Sequence, residues 1–286
     1  MRLAAARPAE IVSCDSLQVY RGFDVVSAKP SLADRAAVPH HLIDVVDPDG
    51  AFSAADYARL ARQAIAEIVA RGRLPIVAGG TGLYLRALLH GLFEGPARDE
   101  PLRRRLEAIG DRRGDSVLHR MLARADPESA ARIEPRDRVR VIRALEVLRA
   151  TGRPIGEHHR APAGPLAGFE WRVLVLDPPR EALRAAVEAR TEAMIRAGLV
   201  EETRGLLARY GDVRPLAAIG YRQAAAVVRG ETDVASAQRD IVVDTMRYAK
   251  RQRTWFRHQE TATWFAHADQ AFDAAMSALP DAADAT

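Results

Sequence analysis

The 286-residue chain carries 42 lysines and arginines against 38 acidic residues, and all but Lys29 and Lys250 of these cations are arginines. Its single cysteine, Cys14, excludes a disulfide within the chain and argues against a thiolate metal site. The sequence shows no apolar run of bilayer-spanning length and no signal-peptide layout, so we expect a cytoplasmic protein without a membrane partner.

Short apolar runs bounded by polar or turn residues predict four buried strands, with helical patterns between them. The predicted strands are Glu10–Ser13, Leu74–Ala78, Arg172–Leu176 and Thr263–Ala266. The predicted helices around them are Ser53–Ala70, Leu83–Leu89, Arg180–Ala197, Glu201–Tyr210, Gly220–Arg229 and Val234–Arg257. Strands that alternate with helices indicate an α/β fold with a parallel sheet.

Between residues 96 and 168 the character changes to arginine-rich helical segments, predicted at Arg103–Ile109, Ser116–Ala125 and Arg138–Ala150. We therefore expect a discontinuous α/β core over residues 1–95 and 169–270, interrupted by an all-α insertion over residues 96–168. The Ala- and Asp-rich residues 271–286 are expected to form a frayed tail.

Asp15 follows the first strand in the sequence Ser13-Cys14-Asp15-Ser16, which places a carboxylate and two hydroxyls at the carboxyl edge of the sheet. Ligands bind at that edge in open α/β sheets. Asp15 is a candidate proton acceptor or Mg²⁺ ligand, and a turn cap is an equally good interpretation of its position.

Three further patterns each allow a functional and a structural interpretation. Gly79-Gly80-Thr81-Gly82 follows a strand and permits close backbone approach to a ligand, or forms only a tight turn. Arg136, Arg140 and Arg143 have the spacing of one helix face that suits phosphates, or that is simply solvated. The basic and aromatic run from Arg247 to Arg257 suits stacking on bases, or anchors a helix to the core.

Taken together, the motifs resemble the bacterial tRNA dimethylallyltransferases (tRNA isopentenyltransferases). The resemblance runs in family order from about Glu10 to Trp264. It rests on Ser13-Cys14-Asp15-Ser16-Leu17-Gln18-Val19-Tyr20-Arg21, Ala28-Lys29-Pro30, Pro39-His40-His41-Leu42-Ile43-Asp44, Phe52-Ser53-Ala54-Ala55-Asp56-Tyr57, Gly79-Gly80-Thr81-Gly82-Leu83-Tyr84, Arg143-Ala144-Leu145-Glu146-Val147, Ile219-Gly220-Tyr221-Arg222-Gln223 and Tyr248-Ala249-Lys250-Arg251-Gln252.

The resemblance implies a P-loop-type α/β core, nucleotide-binding in class, with a helical insertion that grips the tRNA anticodon arm. It implies a monomer that uses Mg²⁺ to transfer a dimethylallyl group from dimethylallyl diphosphate to N6 of the adenine 3′ of the anticodon. Asp15 would be the catalytic base, and Arg190 would help hold the diphosphate. The implied tRNA contacts are Asp15, Ser16, Leu17, Gln18, Thr81, Arg103, Val139, Arg140, Val141, Ile142, Arg143, Ala217, Ala218, Ile219, Gly220, Tyr221 and Arg222.

One family element is missing from the sequence: the family begins with a strand and a Gly-Pro-Thr-x-x-Gly-Lys-Ser/Thr loop that cradles the diphosphate. We therefore expect an N-terminal truncation before Met1, with poor folding and no measurable transfer by the 286-residue chain. Two other functions stay open. A P-loop small-molecule kinase would share the core, and a non-catalytic RNA-binding protein would use only the arginine-rich insertion.

Overall fold

The computed structural model describes residues 1–92, 95–96, 98–159 and 164–279, and of His159 only the backbone. These residues cluster into two compact units. Unit 1 comprises Met1–Leu88 and Gly168–Thr286, and unit 2 comprises Leu89–Ala167. The structure divides the chain after residue 88, within the helix Gly82–His90, whereas the sequence predicted a boundary at residue 96.

Unit 1 contains two small parallel sheets rather than the one sheet we expected. β1 (Ala9–Cys14) lies between β2 (His40–His41) and β3 (Leu74–Gly79), while β4 (Val173–Leu176) pairs with β5 (Ala262–Phe265). Every residue of β1 is buried, as its central position and its apolar run Ile11-Val12 require. The four predicted strands are confirmed to within one residue at each end, and β2 is an addition.

The helices of unit 1 begin where the sequence offers a cap. The hydroxyl of Ser53 accepts from the backbone N–H of Asp56, whose carboxylate accepts from the N–H of Ser53, so a capping box opens α3. In chain order the helices are α1 (Arg2–Ala6), α2 (Leu32–Ala37), α3 (Ala54–Ala70), α4 (Gly82–His90), α10 (Arg180–Arg196), α11 (Leu199–Tyr210), a 3-10 helix (Arg214–Ala217), α12 (Tyr221–Val228), α13 (Val234–Gln259) and α14 (Ala268–Ala278).

The described residues of unit 2 form helices joined by short turns and contain no strand, which agrees with the predicted all-α insertion. Its helices are α5 (Glu100–Arg113), α6 (Asp115–Ala125), α7 (Pro127–Arg132), α8 (Arg138–Thr151) and α9 (Ile155–His159). A buried cluster that includes Leu106, Leu118, Leu122, Ile142 and Val147 joins them. Arg136 lies in the turn before Asp137, the N-cap of α8, so it does not share a helix face with Arg140 and Arg143.

The segment expected to fray is folded over most of its length, because α14 covers Ala268–Ala278. Phe272 and Met276, four residues apart, are partly buried on it, and that spacing is typical of a helix packed along one face. Arg2 lies over the ring of Phe272 and pairs with Asp269. The expectation of a frayed tail is therefore corrected through residue 278, and residues 280–286 lie outside the described residues. Among the helices that the structure describes, none has the length and apolarity to cross a membrane.

Candidate functional site

Two loops meet at the carboxyl edge of the three-stranded sheet, since Cys14 at the end of β1 pairs with Gly79 at the end of β3. The N–H of Thr81 donates to the carbonyl of Cys14 (3.1 Å), and the N–H of Ser16 donates to Oγ1 of Thr81 (3.0 Å). The structure thus brings the turn that begins at Asp15 against the glycine turn. Ligands collect at this position in α/β folds.

The half-buried carboxylate of Asp15 caps the turn that follows it. Its Oδ1 accepts from the N–H groups of Leu17 (2.7 Å) and Gln18 (3.1 Å). Within the described residues both of these bonds end on the same oxygen, so Oδ2 is the atom that can face a substrate. The capping interpretation and the proton-acceptor interpretation are therefore compatible, because each uses a different oxygen.

The amide of Gln18 is engaged by the protein itself. Its Oε1 accepts from Oγ of Ser13 (2.8 Å), and its Nε2 donates to the carbonyls of Ser27 (3.0 Å) and Ala28 (3.4 Å). Ser16 is exposed beside it. Of the residues predicted to contact tRNA in this turn, Ser16 is thus exposed, while Gln18 fixes the turn.

The glycine turn is shaped by close packing. Gly79 has φ +155°, and a Cβ there would lie 2.3 Å from the carbonyl oxygen of Cys14. From α13, Nε2 of Gln252 donates to the carbonyl of Gly80 (2.9 Å), and a Cβ on Gly82 would lie 2.5 Å from the ring of Trp255. These contacts explain the glycines without a bound anion.

Tyr248 on α13 lies near the candidate site. The sequence left open whether this tyrosine faces a ligand or anchors the helix. Burial, and next the negative charge of Asp15, raise the pKa of its phenol. Its side chain is 38% exposed, so a flat partly exposed ring lies within electrostatic range of the candidate base. The basic and aromatic run singled out from the sequence therefore supplies both core anchors and an aromatic surface near the site.

Several predicted site residues contact the same segment of unit 1, which runs from Asp24 to Ala28. Nη2 of the exposed Arg190 donates to the carbonyl of Val26 (2.8 Å), and a Cβ on Gly220, which has φ +97°, would lie 2.8 Å from a methyl of Val26. The N–H groups of Asp24 and Val25 donate to the carboxylate of Glu202 on α11. The predicted diphosphate arginine and the predicted run 217–222 therefore share one support.

Within the run 217–222, the exposed residues are Ala217 and Arg222, Ala218 and Ile219 are half-buried, and Gly220 and Tyr221 are buried. The phenol of Tyr221 donates to Glu202, and Arg222 pairs with Asp244 (2.7 Å). Burial raises the pKa of Tyr221, and its hydrogen bond to Glu202 raises this pKa further. Ala217 and Arg222 are thus the members available to a partner.

In unit 2, the predicted tRNA residues divide into exposed and buried groups. Val139 and Arg140 at the start of α8 are exposed, whereas Val141 and Ile142 belong to the buried cluster. Arg103 was predicted as a tRNA contact, but its side chain is only 10% exposed and is held by a carboxylate of its own unit. We revise its predicted role from phosphate contact to support of α8.

The partner of Arg103 is Glu146, whose side chain has no exposed surface. Nε and Nη2 of Arg103 each donate to a different oxygen of Glu146 (3.0 Å each), Arg143 donates from Nη1 (2.7 Å), and so does the N–H of Asp99 (2.7 Å). Burial alone would raise the pKa of this carboxyl, but these donors lower the pKa of Glu146 to about 2.

Comparison with known proteins identifies the family. Residues 18–259 match the family model described as IPP transferase. This chain belongs to the IPP transferase family. A curated relative from Anaeromyxobacter dehalogenans, named tRNA dimethylallyltransferase, is 52% identical over 92% of this chain and 88% of its own length. One of the same name from Myxococcus xanthus is 50% identical over 92% and 86%.

Solved structures agree with the family assignment. The crystal structure of a tRNA isopentenylpyrophosphate transferase from Bacillus halodurans is 36% identical, covers 96% of this chain and 88% of its own, and has a TM-score of 0.68. A eukaryotic dimethylallyltransferase that acts on tRNA is 24% identical with a TM-score of 0.74, which shows a shared fold. As an IPP transferase the chain is an enzyme of the transferase class. This assignment decides against the two alternatives left open by the sequence, a small-molecule kinase and a non-catalytic RNA-binding protein.

Proposed function

We propose that this IPP transferase moves a dimethylallyl group from dimethylallyl diphosphate to N6 of the adenine 3′ of the tRNA anticodon. The family match supports the reaction class, and the observation that carries the mechanism is the Asp15 carboxylate at the sheet edge with one oxygen committed to its own turn. A monomer that acts in the cytoplasm, where tRNA is modified, belongs to the same proposal.

The exocyclic amine of adenine is a weak nucleophile because its lone pair is delocalised into the ring. As N6 bonds to the allylic carbon, the carbon–oxygen bond to diphosphate breaks and one N6 proton becomes acidic. Oδ2 of Asp15 accepts that proton and later releases it to solvent. The target base must leave its stack to reach a carboxylate at this depth.

The departing diphosphate requires positive charge. Arg190, exposed on α10, is the proposed protein donor, and its bond to the carbonyl of Val26 orients its guanidinium. Among the described residues, no group of three or more His, Cys, Asp and Glu side chains could hold a metal ion. An Mg²⁺ ion bound together with the diphosphate would supply further positive charge to the leaving group.

The 286 residues contain no Gly-x-x-x-x-Gly-Lys-Ser/Thr sequence, since their two lysines follow Ala28 and Ala249. We therefore expect no measurable transfer by these 286 residues alone, and transfer when an upstream segment with such a loop is supplied. Thermal unfolding and transfer assays on both chain lengths test this expectation. Equal turnover by the two lengths would mean that another segment holds the diphosphate.

Asp15→Asn tests the proposed base. Asparagine keeps Oδ1 as an acceptor for the N–H groups of Leu17 and Gln18, so the turn survives while the proton acceptor is lost. In a chain that carries the upstream loop segment, single-turnover transfer with saturating tRNA should fall by about two orders of magnitude or more, with tRNA affinity unchanged. Asp56→Asn, the same change in the cap of α3, is the matched control and should leave the rate unaltered. An Asp15→Asn rate within a few-fold of wild type would remove Asp15 from this role.

A further inference from the structure

Lys29 is one of only two lysines among 42 cationic residues, and its side chain is 4% exposed. Its Nζ donates to the carbonyl of Tyr20 (2.7 Å), to Oδ1 of Asp24 (2.7 Å) and to Oδ1 of Asp44 (2.5 Å). An ammonium has three donors, and all three are used here. A planar guanidinium cannot aim donors at three acceptors grouped around one point. The local geometry therefore requires lysine in a chain that otherwise uses arginine.

The acceptors of Lys29 lead directly to the proposed active-site turn. Tyr20 ends that turn, since its N–H donates to the carbonyl of Leu17 (3.1 Å). The N–H of Asp44 donates to the carbonyl of Gln18 (3.1 Å). Lys29 thus holds one end of the turn itself, and through Asp44 it holds the residue that fixes the turn from inside.

The backbone around this ion cluster is strained. Ala28, Leu42 and Asp44 have φ angles of +48°, +61° and +58°, which residues other than glycine seldom adopt. Such conformations are unfavourable for residues other than glycine, and they persist where the surrounding contacts hold them in place. The ion cluster holds Asp44 in this conformation, because Oδ1 of Asp44 accepts from Lys29 and its Oδ2 accepts from Arg35 (2.9 Å).

We propose that Lys29 is a positioning residue for prenyl transfer: its ammonium fixes the turn from Asp15 to Tyr20 so that the carboxylate of Asp15 faces the target amine. The inference rests on the proposed function. Lys29 does not contact the substrate in this proposal, and it acts through Tyr20 and Asp44. Misplacement of a reacting group by about 1 Å can lower a rate by about a hundredfold.

The first test is Lys29→Arg, which keeps the charge and changes only the geometry. In a chain that carries the upstream loop segment, single-turnover transfer should fall at least tenfold, while the KM for the allyl diphosphate changes less than threefold. Asp34→Ala, which removes the capping box of α2 within the same stretch of chain, is the matched control. It should lower the midpoint of thermal unfolding slightly, as loss of a cap does, with the transfer rate retained. A Lys29→Arg rate equal to wild type would overturn the proposal.

The second test separates positioning from charge balance. Lys29→Met leaves the carboxylate of Asp44 without its ammonium, and the double variant Lys29→Met/Asp44→Asn removes that imbalance. The double variant should recover thermal stability but not the transfer rate, since the bond to Tyr20 is still absent. Full recovery of both would reduce Lys29 to charge neutralisation and overturn the proposal.

Amide hydrogen exchange on the 286-residue chain gives a readout that does not depend on activity. The Lys29→Arg variant should exchange faster at the amides of Leu17, Gln18 and Tyr20 than wild type, with unchanged protection in α3. Unchanged exchange in the turn would refute the positioning role whether or not transfer is detected. Absence of transfer by a wild-type chain that carries the upstream loop segment, with the exchange change present, would instead contradict the proposed function alone.

Discussion

Two arginines of unit 2 were both predicted from the sequence to contact tRNA, but we expect their replacement to have opposite effects on stability and on tRNA affinity. Arg103 is buried against Glu146, whereas the side chain of Arg140 is 76% exposed and pairs with Asp137 at 3.4 Å. We expect Arg103→Leu to lower stability with little direct effect on tRNA affinity. We expect Arg140→Ala to lower tRNA affinity with little effect on stability.

The magnitude for Arg103→Leu follows from what remains around Glu146. Removing one partner of a buried ion pair costs about 3–5 kcal/mol. Arg143 and the N–H of Asp99 still donate to the carboxylate, so the lower end, about 3 kcal/mol, applies. In a unit of this size such a loss lowers the midpoint of thermal unfolding by ~10–20 °C. Far-ultraviolet circular dichroism would record the lowered midpoint, because both units contain many helices.

The magnitude for Arg140→Ala comes from counterion release. Loss of one phosphate contact should lower the slope of log affinity against log salt by about one unit, as measured by fluorescence anisotropy with tRNA. Arg149→Ala, late on α8 and exposed, is the matched control for loss of one charge. The reasoning would be refuted if Arg103→Leu melted within 2–3 °C (~1 kcal/mol or less) of wild type. It would equally fail if Arg140→Ala left both affinity and salt slope unchanged.

Two further predictions concern unit 1. Hydrogen bonding to Arg71 is the largest cause that lowers the pKa of Glu10 to about 2, so its stabilisation is present above the usual pKa of about 4.5 and is lost as pH falls toward 2. Urea unfolding between pH 3 and 6 should therefore show a flatter acid limb for Glu10→Gln than for wild type, and parallel curves would contradict this. Gly82→Ala places a Cβ against the ring of Trp255 and should cost about 1–3 kcal/mol, whereas Gly205→Ala meets no atom within 4 Å and should be neutral or stabilising in calorimetry. Equal midpoints of thermal unfolding for the two alanine variants would show that the glycine turn accommodates an added Cβ without loss of stability.

The strands were predictable because burial on both faces leaves a continuous apolar run, as Ile76-Val77 in β3 illustrates. β2 was not predicted because it has only two residues, His40 and His41, and its pairing partner Ile11 lies far away in sequence. α14 was misjudged because its alanine-rich composition suggested a frayed end, while its packing depends on β4 and β5.

The candidate site was predictable in location but less so in detail. A carboxylate after the first strand had to lie at the sheet edge, and the structure places Asp15 there. The burial of Arg103 could not be read from sequence, because its carboxylate partner Glu146 is 43 positions away on another helix. The same holds for Lys29, whose three acceptors come together only when the stretch that ends at Asp44 folds back on Tyr20.

The long helix α13 sets the spacing between two segments of unit 1. Asp244 holds Arg222 of the run 217–222, and Gln252 holds the carbonyl of Gly80 in the glycine turn. Asp244 and Gln252 are eight positions apart, which corresponds to about 12 Å along the helix axis. Because both segments are tied to one helix, their separation follows its rise. A tRNA that contacts both segments, as the resemblance to the family implies, would have to match that separation.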